Sequence, residues 1–194
     1  RPQNLSIYFN DKIELKDLII NAGLRFERMD YGHYSLASLD SLTKQTGNVI
    51  ADEHFRDPKV YNYVLPRLGF SFPITDQAIF TAHYGKYIQR PSLTWTLNNE
   101  TYDSFLFQLY GSKFFDPLNN VNLKPERTTE YNFGFKMKFG ANAALKLSAF
   151  YRNQQDLITL RHVIPITNDY STQTMYMNGD FATIKGFTAT FDLR

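Results

Sequence analysis

The chain of 194 residues has no cysteine, no long apolar run and almost no excess of charge of either sign. The absence of cysteine excludes disulfide bonds, thiolate metal sites and thiol nucleophiles. No stretch approaches the 18 consecutive apolar residues that a membrane-spanning helix needs. The 21 basic and 19 acidic residues give a net charge of +2, whereas a dedicated nucleic-acid binder usually shows a clear basic excess. We therefore expect no nucleic-acid partner.

Aromatic residues make up 16% of the chain, and apolar residues recur with a period of two. In residues 18–28 every second side chain is apolar, and the positions between them are nearly all polar. Such alternation is typical of a strand with one apolar and one polar face. The pattern predicts seven strands and no helix. The strands cover residues 5–15, 18–28, 66–74, 78–89, 129–139, 143–151 and 183–194.

The connections between these strands alternate strictly in length. Short turns are predicted at residues 16–17, 75–77 and 140–142, and long loops at residues 31–60, 90–127 and 155–180. Compact soluble domains rarely carry several long loops, whereas outer-membrane barrels combine short periplasmic turns with long extracellular loops. The sequence therefore predicts an all-β, antiparallel, up-and-down transmembrane β-barrel, of which about seven strands are present. A water-soluble β-sandwich that binds a partner is the alternative from another class.

Side-chain chemistry along the predicted strands fits a barrel wall. Long charged residues such as Arg25 and Lys136 fall on the polar face, as expected for a water-filled lumen. Asp11 falls by alternation on the lipid-facing side, where a carboxylate is tolerable near the interface. Aromatic residues near strand ends are predicted to form interfacial girdles. These residues are Tyr8, Phe9, Phe26, Tyr31, Tyr61, Tyr63, Tyr84, Tyr87, Tyr131 and Tyr151.

Five stretches of the chain carry a recognisable pattern: residues 4–30, Leu-Pro-Arg-Leu-Gly-Phe-Ser at 65–71, Tyr-Gly-Lys-Tyr at 84–87, Asn-Leu-Lys-Pro-Glu-Arg-Thr-Thr-Glu-Tyr at 122–131 and Lys-Gly-Phe at 185–187. They resemble the barrels of TonB-dependent outer-membrane receptors. The first resembles a paired-strand signature of that family, and the second and third are similar to its next hairpin. The fourth resembles the family's most recognisable stretch, and the fifth matches the start of the strand beyond the last loop. The matches follow the family order along nearly all of the predicted strands.

The resemblance implies a 22-stranded barrel closed by an N-terminal plug, in the outer membrane of a Gram-negative bacterium. It implies TonB-dependent, energised uptake of a scarce nutrient such as a siderophore, cofactor, oligosaccharide or peptide. Residues 1–194 would be one part of the barrel, and the plug that contacts the TonB complex would lie outside this chain. Outer-membrane lipid, an unidentified imported ligand and a surface lipoprotein are the partner classes. A small free-standing barrel, acting as a porin, adhesin or structural protein, is the alternative.

The chain opens with Arg1 rather than Met and stops at Arg194 in mid-pattern, so we expect it to be a piece of a longer protein.

Asn-Leu-Lys-Pro-Glu is predicted to be structural, because Pro125 cannot donate to a strand ladder and so marks the entry to a strand. We expect Glu126 or Glu130 to pair with Arg127 or with another inward arginine. Gly23, Gly69, Gly85 and Gly134 are predicted to mark bends or close packing inside strands.

The sequence offers no catalytic or metal motif. The four histidines form neither a His-x-His nor a His-Glu-x-x-His pair, and no Gly-x-Ser-x-Gly turn occurs. His83 lies in mid-strand on the inward face and is interpreted as a lumen histidine. We expect no enzymatic activity, no catalytic or metal-binding residue and no cofactor.

Residues 98–120 form a loop that is unusually apolar for the cell exterior. Exposed aromatic clusters often mark contact surfaces. The alternative is that these rings extend the neighbouring strands or pack one loop against another. The candidate substrate-contact residues are Tyr102, Phe105, Phe107, Tyr110 and Phe114.

Overall fold

The structure is a computed structural model and describes residues 2–32, 35–36, 55–56, 59–96, 117, 119–163 and 173–193. Among these residues, seven strands form one antiparallel sheet: β1 (Gln3–Leu15), β2 (Leu18–Asp30), β5 (Val60–Thr75), β6 (Ala78–Gln89), β7 (Glu126–Phe139), β8 (Ala143–Val163) and β9 (Gln173–Leu193). Neighbours in the sheet follow the order β1-β2-β5-β6-β7-β8-β9. A separate two-stranded sheet joins β3 (Ser35–Leu36) to β4 (Phe55–Arg56). The seven predicted strands and the three short turns are confirmed.

Each strand of the large sheet pairs with its neighbour along the chain, so the topology is up-and-down. Lys16 adopts a left-handed backbone (φ 51°) in the β1–β2 turn, and Gly140 does so (φ 62°) in the β7–β8 turn. The register is staggered, because Ile19 at the start of β2 pairs with Ser71, four residues before the end of β5. Such a stagger is what tilted barrel strands require. The seven strands form an open sheet, as expected for part of a larger barrel.

One face of the sheet is apolar and exposed. Opposed pairs such as Ile20–Phe70 and Phe133–Ala149 continue the apolar rows across the strands, yet Phe9, Phe187 and Leu193 are 69%, 69% and 75% exposed. A soluble sandwich would bury such a face against a second sheet, but among the residues that the structure describes the second sheet contains only the two-residue strands β3 and β4. Asp11 is opposite Ala22 on this apolar face, as the alternation predicts.

Two loop predictions were wrong. The segment 155–180 was expected to be a loop, but β8 extends to Val163 and β9 begins at Gln173. A hairpin that projects beyond the membrane has water on both faces, so it needs no alternation and gives no period-two signal. A single helical turn, α1 (Leu93–Thr96), follows β6 and was also not predicted. Four residues are too few to show a helical period; the turn is helped by Ser92, whose hydroxyl accepts a hydrogen bond from Thr94 N at 3.3 Å. Within the described ranges, no helix is long and apolar enough to cross a membrane.

The pairing between β5 and β6 begins at their short turn and stops before the far ends of the two strands, which we call their upper ends. The ladder runs from the turn to the Arg67–Gly85 pair, whereas β5 continues to pair with β2 as far as Val60. Pro66 is the next residue of β5, and it has no N–H to donate to a ladder. β6 meanwhile pairs with β7 as far as Gln89. The upper ends of β5 and β6 are therefore joined to different neighbours.

Candidate functional site

The predicted contact residues Tyr102, Phe105, Phe107, Tyr110 and Phe114 lie outside the described residues, so their role stays a prediction. The structure does describe both ends of their loop. One end is α1, and the other is the segment 119–125, here called the loop base, which leads into β7. Pro125 immediately precedes the first residue of β7, as predicted for the strand entry. The loop base is the part of the site that can be built from its contacts.

The loop base is held on the polar face by buried apolar residues and by bonds to distant strands. Leu123 is fully buried (0% exposed), and Pro125 is less than 2% exposed. The hydroxyl of Tyr61 on β5 donates to the main-chain oxygen of Asn122 at 2.9 Å. Asn178 on β9 accepts from Lys124 N at 2.8 Å and donates to Lys124 O at 2.9 Å. The loop base therefore links β5 to β9.

The two ends of the aromatic loop are also tied to each other. Asn120 N donates to the carbonyl of Trp95 in α1 at 2.9 Å, and the side-chain amide of Asn120 donates to the carbonyl of Tyr176 at 3.0 Å. The rings of Trp95 and Tyr176 are stacked, with centroids 5.2 Å apart and planes 19° apart. These contacts place both ends of the loop against β9. The contacts of Trp95 and Asn120 therefore determine the positions of the two ends of the loop on the sheet.

A buried aromatic pair lies beside the loop base. Tyr31 follows β2 and is 4% exposed, and its ring meets that of Tyr61 edge-on with centroids 6.0 Å apart. Met29, which pairs with Tyr61 across the strands, is 1% exposed. The hydroxyl of Tyr31 has no hydrogen-bond partner in the part of the chain that the structure describes. Burial, and secondly the nearby Tyr61, raise the pKa of Tyr31 well above its usual value.

The charged residues at the start of β7 form ion pairs and hydrogen bonds with residues of the neighbouring strand β8. Arg127 pairs with Asp156 at 2.6 Å, and Glu130 pairs with Arg152 at 3.0 Å. The predicted pairing of Glu130 with another inward arginine is confirmed. The Glu126–Arg127 pair is not formed, because Glu126 instead accepts from the main-chain N–H of Ile158 at 2.9 Å. Glu126 and Arg127 thus brace the bulge in β8 at Asp156, whose backbone is left-handed (φ 58°).

Five of the ten predicted girdle residues lie on the polar side instead. Four of them are on strands: Tyr8 is opposite Arg25, Tyr61 opposite Met29 and Tyr63 opposite Glu27, and Tyr87 has the same orientation. The fifth is Tyr31, whose ring packs against that of Tyr61. The reason is that tyrosine is amphipathic and fits either face, so residue type alone does not assign it. Tyr84, Tyr131 and Tyr151 do form a row across the apolar face, with centroids 5.1 Å and 6.2 Å apart.

Lower on the polar face, glycines allow larger side chains to lie flat on the wall. A Cβ at Gly69 would lie 2.7 Å from Nδ1 of His83, and a Cβ at Gly85 would lie 2.6 Å from the Tyr87 hydroxyl. The predicted close packing at these glycines is confirmed. The guanidinium carbon of Arg67 lies 4.7 Å from the centre of the Tyr87 ring, an arrangement that stabilises a cation over an aromatic face.

These flat side chains leave an open groove of about 460 Å³ on the polar face. Within the described ranges, Arg67 has no carboxylate partner, whereas Arg25 is paired with Glu27 at 2.6 Å. A guanidinium with amide and imidazole groups around it can bind an anionic or hydrogen-bond-accepting group. The polar residues that line it are Asn10, Asp11, Lys12, Asn21, Arg67, His83, Tyr84 and Tyr87, of which Asp11 and Tyr84 belong to the outward positions of their strands.

Sequence reasoning missed most of these contacts. Nothing in the sequence joins Tyr61 to Asn122 or Asn178 to Lys124, because each pair is more than fifty residues apart along the chain. The asparagines at 119, 120 and 122 were the available signal, since asparagine readily bonds main-chain groups in loops. Among the described residues no group of three or more His, Asp or Glu is placed to hold a metal ion.

Comparison with known proteins identifies the class to which this sheet belongs. The family described as "TonB dependent receptor-like, beta-barrel" matches residues 1–194, the whole chain. The chain therefore belongs to the TonB-dependent receptor β-barrel family, whose members are receptors and transporters of the Gram-negative outer membrane. No curated protein sequence matches the chain.

Solved structures share the fold at low sequence identity. The hemophore receptor HasR of Serratia marcescens is similar over 98% of this chain, with 17% identity and a TM-score of 0.64. The FrpB iron transporter of Neisseria meningitidis and the copper transporter OprC each match the whole chain at 16% identity, with TM-scores of 0.63 and 0.62. The chain spans 31%, 24% and 27% of those proteins, respectively. These likenesses establish the fold.

Proposed function

We propose that the receptor containing this chain imports a scarce nutrient by TonB-dependent, energised uptake. In this proposal the chain supplies part of the wall and its extracellular loops, and a plug outside this chain supplies the gate and the contact with the TonB complex. The observation that carries the proposal is the polar face, where the loop base is held against the sheet and an open groove contains Arg67, which pairs with no acid among the described residues. The related structures include transporters of iron and copper and a receptor for a heme-carrying protein.

The ligand path is proposed to run along this face. Tyr102, Phe105, Phe107, Tyr110 and Phe114 would contact the ligand first, because the loop base and α1 fix both ends of their loop on the wall. Arg67 would then attract anionic groups that enter the lumen, since its charge is stabilised by Tyr87 and a guanidinium binds carboxylate or phosphate through several N–H donors. No enzymatic step is proposed for these residues.

Growth under nutrient limitation tests the uptake proposal. Cells lacking the receptor gene would be supplied, one at a time, with ferric chelates, heme, copper, cobalamin, oligosaccharides or peptides as the limiting nutrient. We expect growth on one of them to depend on the receptor and on an intact TonB. Receptor-dependent uptake that persists without TonB would overturn the proposal, as would a receptor whose loss affects none of these nutrients.

A second experiment tests the loop. Replacing Phe105, Phe107 and Tyr110 with serine is expected to reduce uptake at least several-fold while the barrel stays folded, because apolar contact area with the ligand is lost. The matched control is Phe105→Leu, Phe107→Leu and Tyr110→Phe, which keeps apolar side chains at all three positions. Equal uptake by the serine variant and the unaltered receptor would remove these residues from the ligand path.

A further inference from the structure

Glycine occupies three of the four positions that surround Arg67 on the polar face. Gly23 on β2 and Gly85 on β6 are opposite Arg67 on its two sides, and Gly69 is two residues further along β5. The fourth neighbour, Leu65, is buried. Glycine weakens a strand and often marks a place where a ligand approaches the backbone closely. We call Gly23, Gly69 and Gly85 the glycine floor.

Each glycine of the floor is covered by one planar side chain. The covering atoms lie 2.5 to 2.7 Å from the position that a Cβ would take, so a residue with a Cβ would displace them. The result is a nearly flat surface around Arg67 that consists of one amide and two rings. The pairs are Gly23 with Asn10, Gly69 with His83 and Gly85 with Tyr87.

The charge of Arg67 is available to a ligand. Its guanidinium carbon lies 4.7 Å from the centre of the Tyr87 ring, and a guanidinium stacked on a ring keeps its N–H donors at its edge, in its own plane. The other cation that lines the groove, Lys12, is paired with Glu14 at 2.5 Å. Among the described lining residues the only acid is Asp11, which belongs to the outward face. The groove therefore presents one unopposed positive charge.

The shape of the groove favours a flat ligand. Its volume of about 460 Å³ is that of a small-molecule site. An arginine and a carboxylate bind each other fork to fork, in one plane. In an aromatic acid the ring shares the plane of the carboxylate, so its face would lie along the floor and stack on the rings of His83 and Tyr87. A saturated ring is thicker and cannot make this contact, and a compact inorganic anion would leave both ring faces uncovered.

We propose that the groove is a transit site for a planar aromatic acid, whose carboxylate binds Arg67 and whose ring stacks on His83 and Tyr87. The inference rests on the proposed uptake function and names the chemical class of its ligand. Arg67 is eight residues from Thr75 at the end of β5. With a rise of about 3.3 Å per residue and a strand tilt of about 40°, it lies roughly 20 Å above the turns. The ligand would therefore reach the site inside the lumen, after capture by the loops.

Ligand binding by the purified full-length receptor in detergent tests this proposal. The probe is naphthalene dicarboxylate. Decalin dicarboxylate has the same charge on a saturated skeleton, and naphthalene dimethanol has the same ring without the charge. Titration calorimetry gives the affinities, and a titration into detergent alone corrects for partition into micelles.

Three variants accompany the probes. Arg67→Gln removes the charge of the groove, and Tyr87→Leu removes one ring of its surface. The matched control is Lys136→Gln, which removes a cation of the same face that lies outside the groove and forms no ion pair among the described residues. Heat-modifiable gel mobility verifies that each variant is folded.

Arg67→Gln should bind the naphthalene probe about tenfold or more weakly, because a bidentate, charge-assisted pair is lost. Lys136→Gln should stay within about twofold of the unaltered receptor, because salt screens a distant exposed charge. The unaltered receptor should prefer the naphthalene over the decalin probe by about threefold or more, and Tyr87→Leu should lose most of this preference. Should Arg67→Gln not fold, Arg67→Lys carries the same test, since lysine keeps the charge but lacks the planar fork.

Three outcomes would overturn the proposal. They are equal losses in Arg67→Gln and Lys136→Gln, equal affinity for the planar and saturated probes, and inorganic phosphate binding as tightly as the naphthalene probe. The uptake function is tested separately. TonB-dependent growth on a nutrient without an aromatic acid would overturn the ligand class and leave the uptake function standing. Binding of the planar probe at Arg67, together with uptake that persists without TonB, would overturn the uptake function and leave the binding site standing.

Discussion

The hydroxyl of Tyr61 donates a hydrogen bond of 2.9 Å to the main-chain carbonyl of Asn122, a residue that lies sixty-one positions further along the chain. Through this bond, β5 holds the loop base from one side while Asn178 on β9 holds it from the other. The loop base is thus anchored at two distant strands of the same sheet. Its position depends on a few identifiable side chains, which makes it open to experiment.

Tyr61→Phe should loosen the loop base, because the variant removes one hydrogen bond and leaves the Asn122 carbonyl to find another donor. The expected cost is about 1 kcal/mol in the local opening free energy, or about a fivefold rise in opening. Hydrogen exchange of the amides at 120–124 in the full receptor measures it. Tyr31→Phe is the matched control, since the Tyr31 hydroxyl has no partner among the described residues; it should leave exchange unchanged or slower. Equal acceleration by both variants would contradict this account.

Asn178→Ala should release the loop base more completely. The side chain of Asn178 makes three hydrogen bonds, two to the main chain of Lys124 and one of 2.7 Å to the carbonyl of Asp156. Losing them together should destabilise this region by about 2–3 kcal/mol and expose residues 97–118 to limited proteolysis. Asn153→Ala, on β8, is the control, because no described residue bonds the Asn153 side chain. If both variants resist protease equally, Asn178 is not an anchor.

Gly69→Ala should destabilise the barrel because its new methyl group would meet the His83 ring, with Nδ1 2.7 Å away. The expected cost is about 1–2 kcal/mol, typical of overpacking. Adding His83→Ala removes the obstructing ring and should recover most of this cost relative to His83→Ala alone. Urea unfolding of the receptor reconstituted in lipid gives the four free energies of unfolding. If the changes in unfolding free energy of the two single variants simply add in the double variant, Gly69 and the His83 ring do not interact.

Asp11→Ala should stabilise the barrel. The carboxylate lies on the lipid-facing side, opposite Ala22 and five residues above the Lys16–Asp17 turn. A charged residue on this face is destabilising by an amount that depends on depth, and aspartate costs less than lysine or arginine, so we expect a gain of about 1 kcal/mol. The control Asp17→Ala removes the same group at the turn, in water. A loss of stability on removing Asp11 would show that the carboxylate has a partner on a neighbouring strand.

Alkaline pH should weaken the packing around Tyr31. Its pKa is raised in the folded state, first by burial and then by Tyr61, above the value near 10 of an unfolded chain. The resulting stabilisation is complete below about pH 10 and declines as the pH rises toward the folded-state pKa. The unfolding free energy should therefore fall more between pH 9 and pH 11 in the unaltered receptor than in Tyr31→Phe. Parallel pH profiles would argue against a buried, neutral phenol.

The sequence predicts the sheet better than the site. Alternation located all seven strands because one face must be apolar against lipid, and turn residues such as Gly140 marked the short connections. The same logic fails where lipid ends, which is why the upper parts of β8 and β9 and the helical turn α1 were not predicted. It also placed Tyr61 and Tyr87 on the wrong face, because tyrosine suits either lipid headgroups or a polar lumen. The contacts of Tyr61 and Asn178 depend on the folded arrangement of distant segments.

The β5–β6 ladder ends at the Arg67–Gly85 pair, so the upper part of the sheet is divided into two parts, here called leaves. The unpaired boundary between the upper ends of β5 and β6 is here called the seam. Below the Arg67–Gly85 pair the leaves share main-chain hydrogen bonds, but above it β2 and β5 belong to one leaf and β6 to β9 to the other. The Tyr61–Asn122 bond is a side-chain hydrogen bond that crosses the seam at this height. Pro66 thus ends the pairing between the two parts at their upper ends, while their lower ends stay joined by main-chain hydrogen bonds. The loop base connects the two parts above the seam.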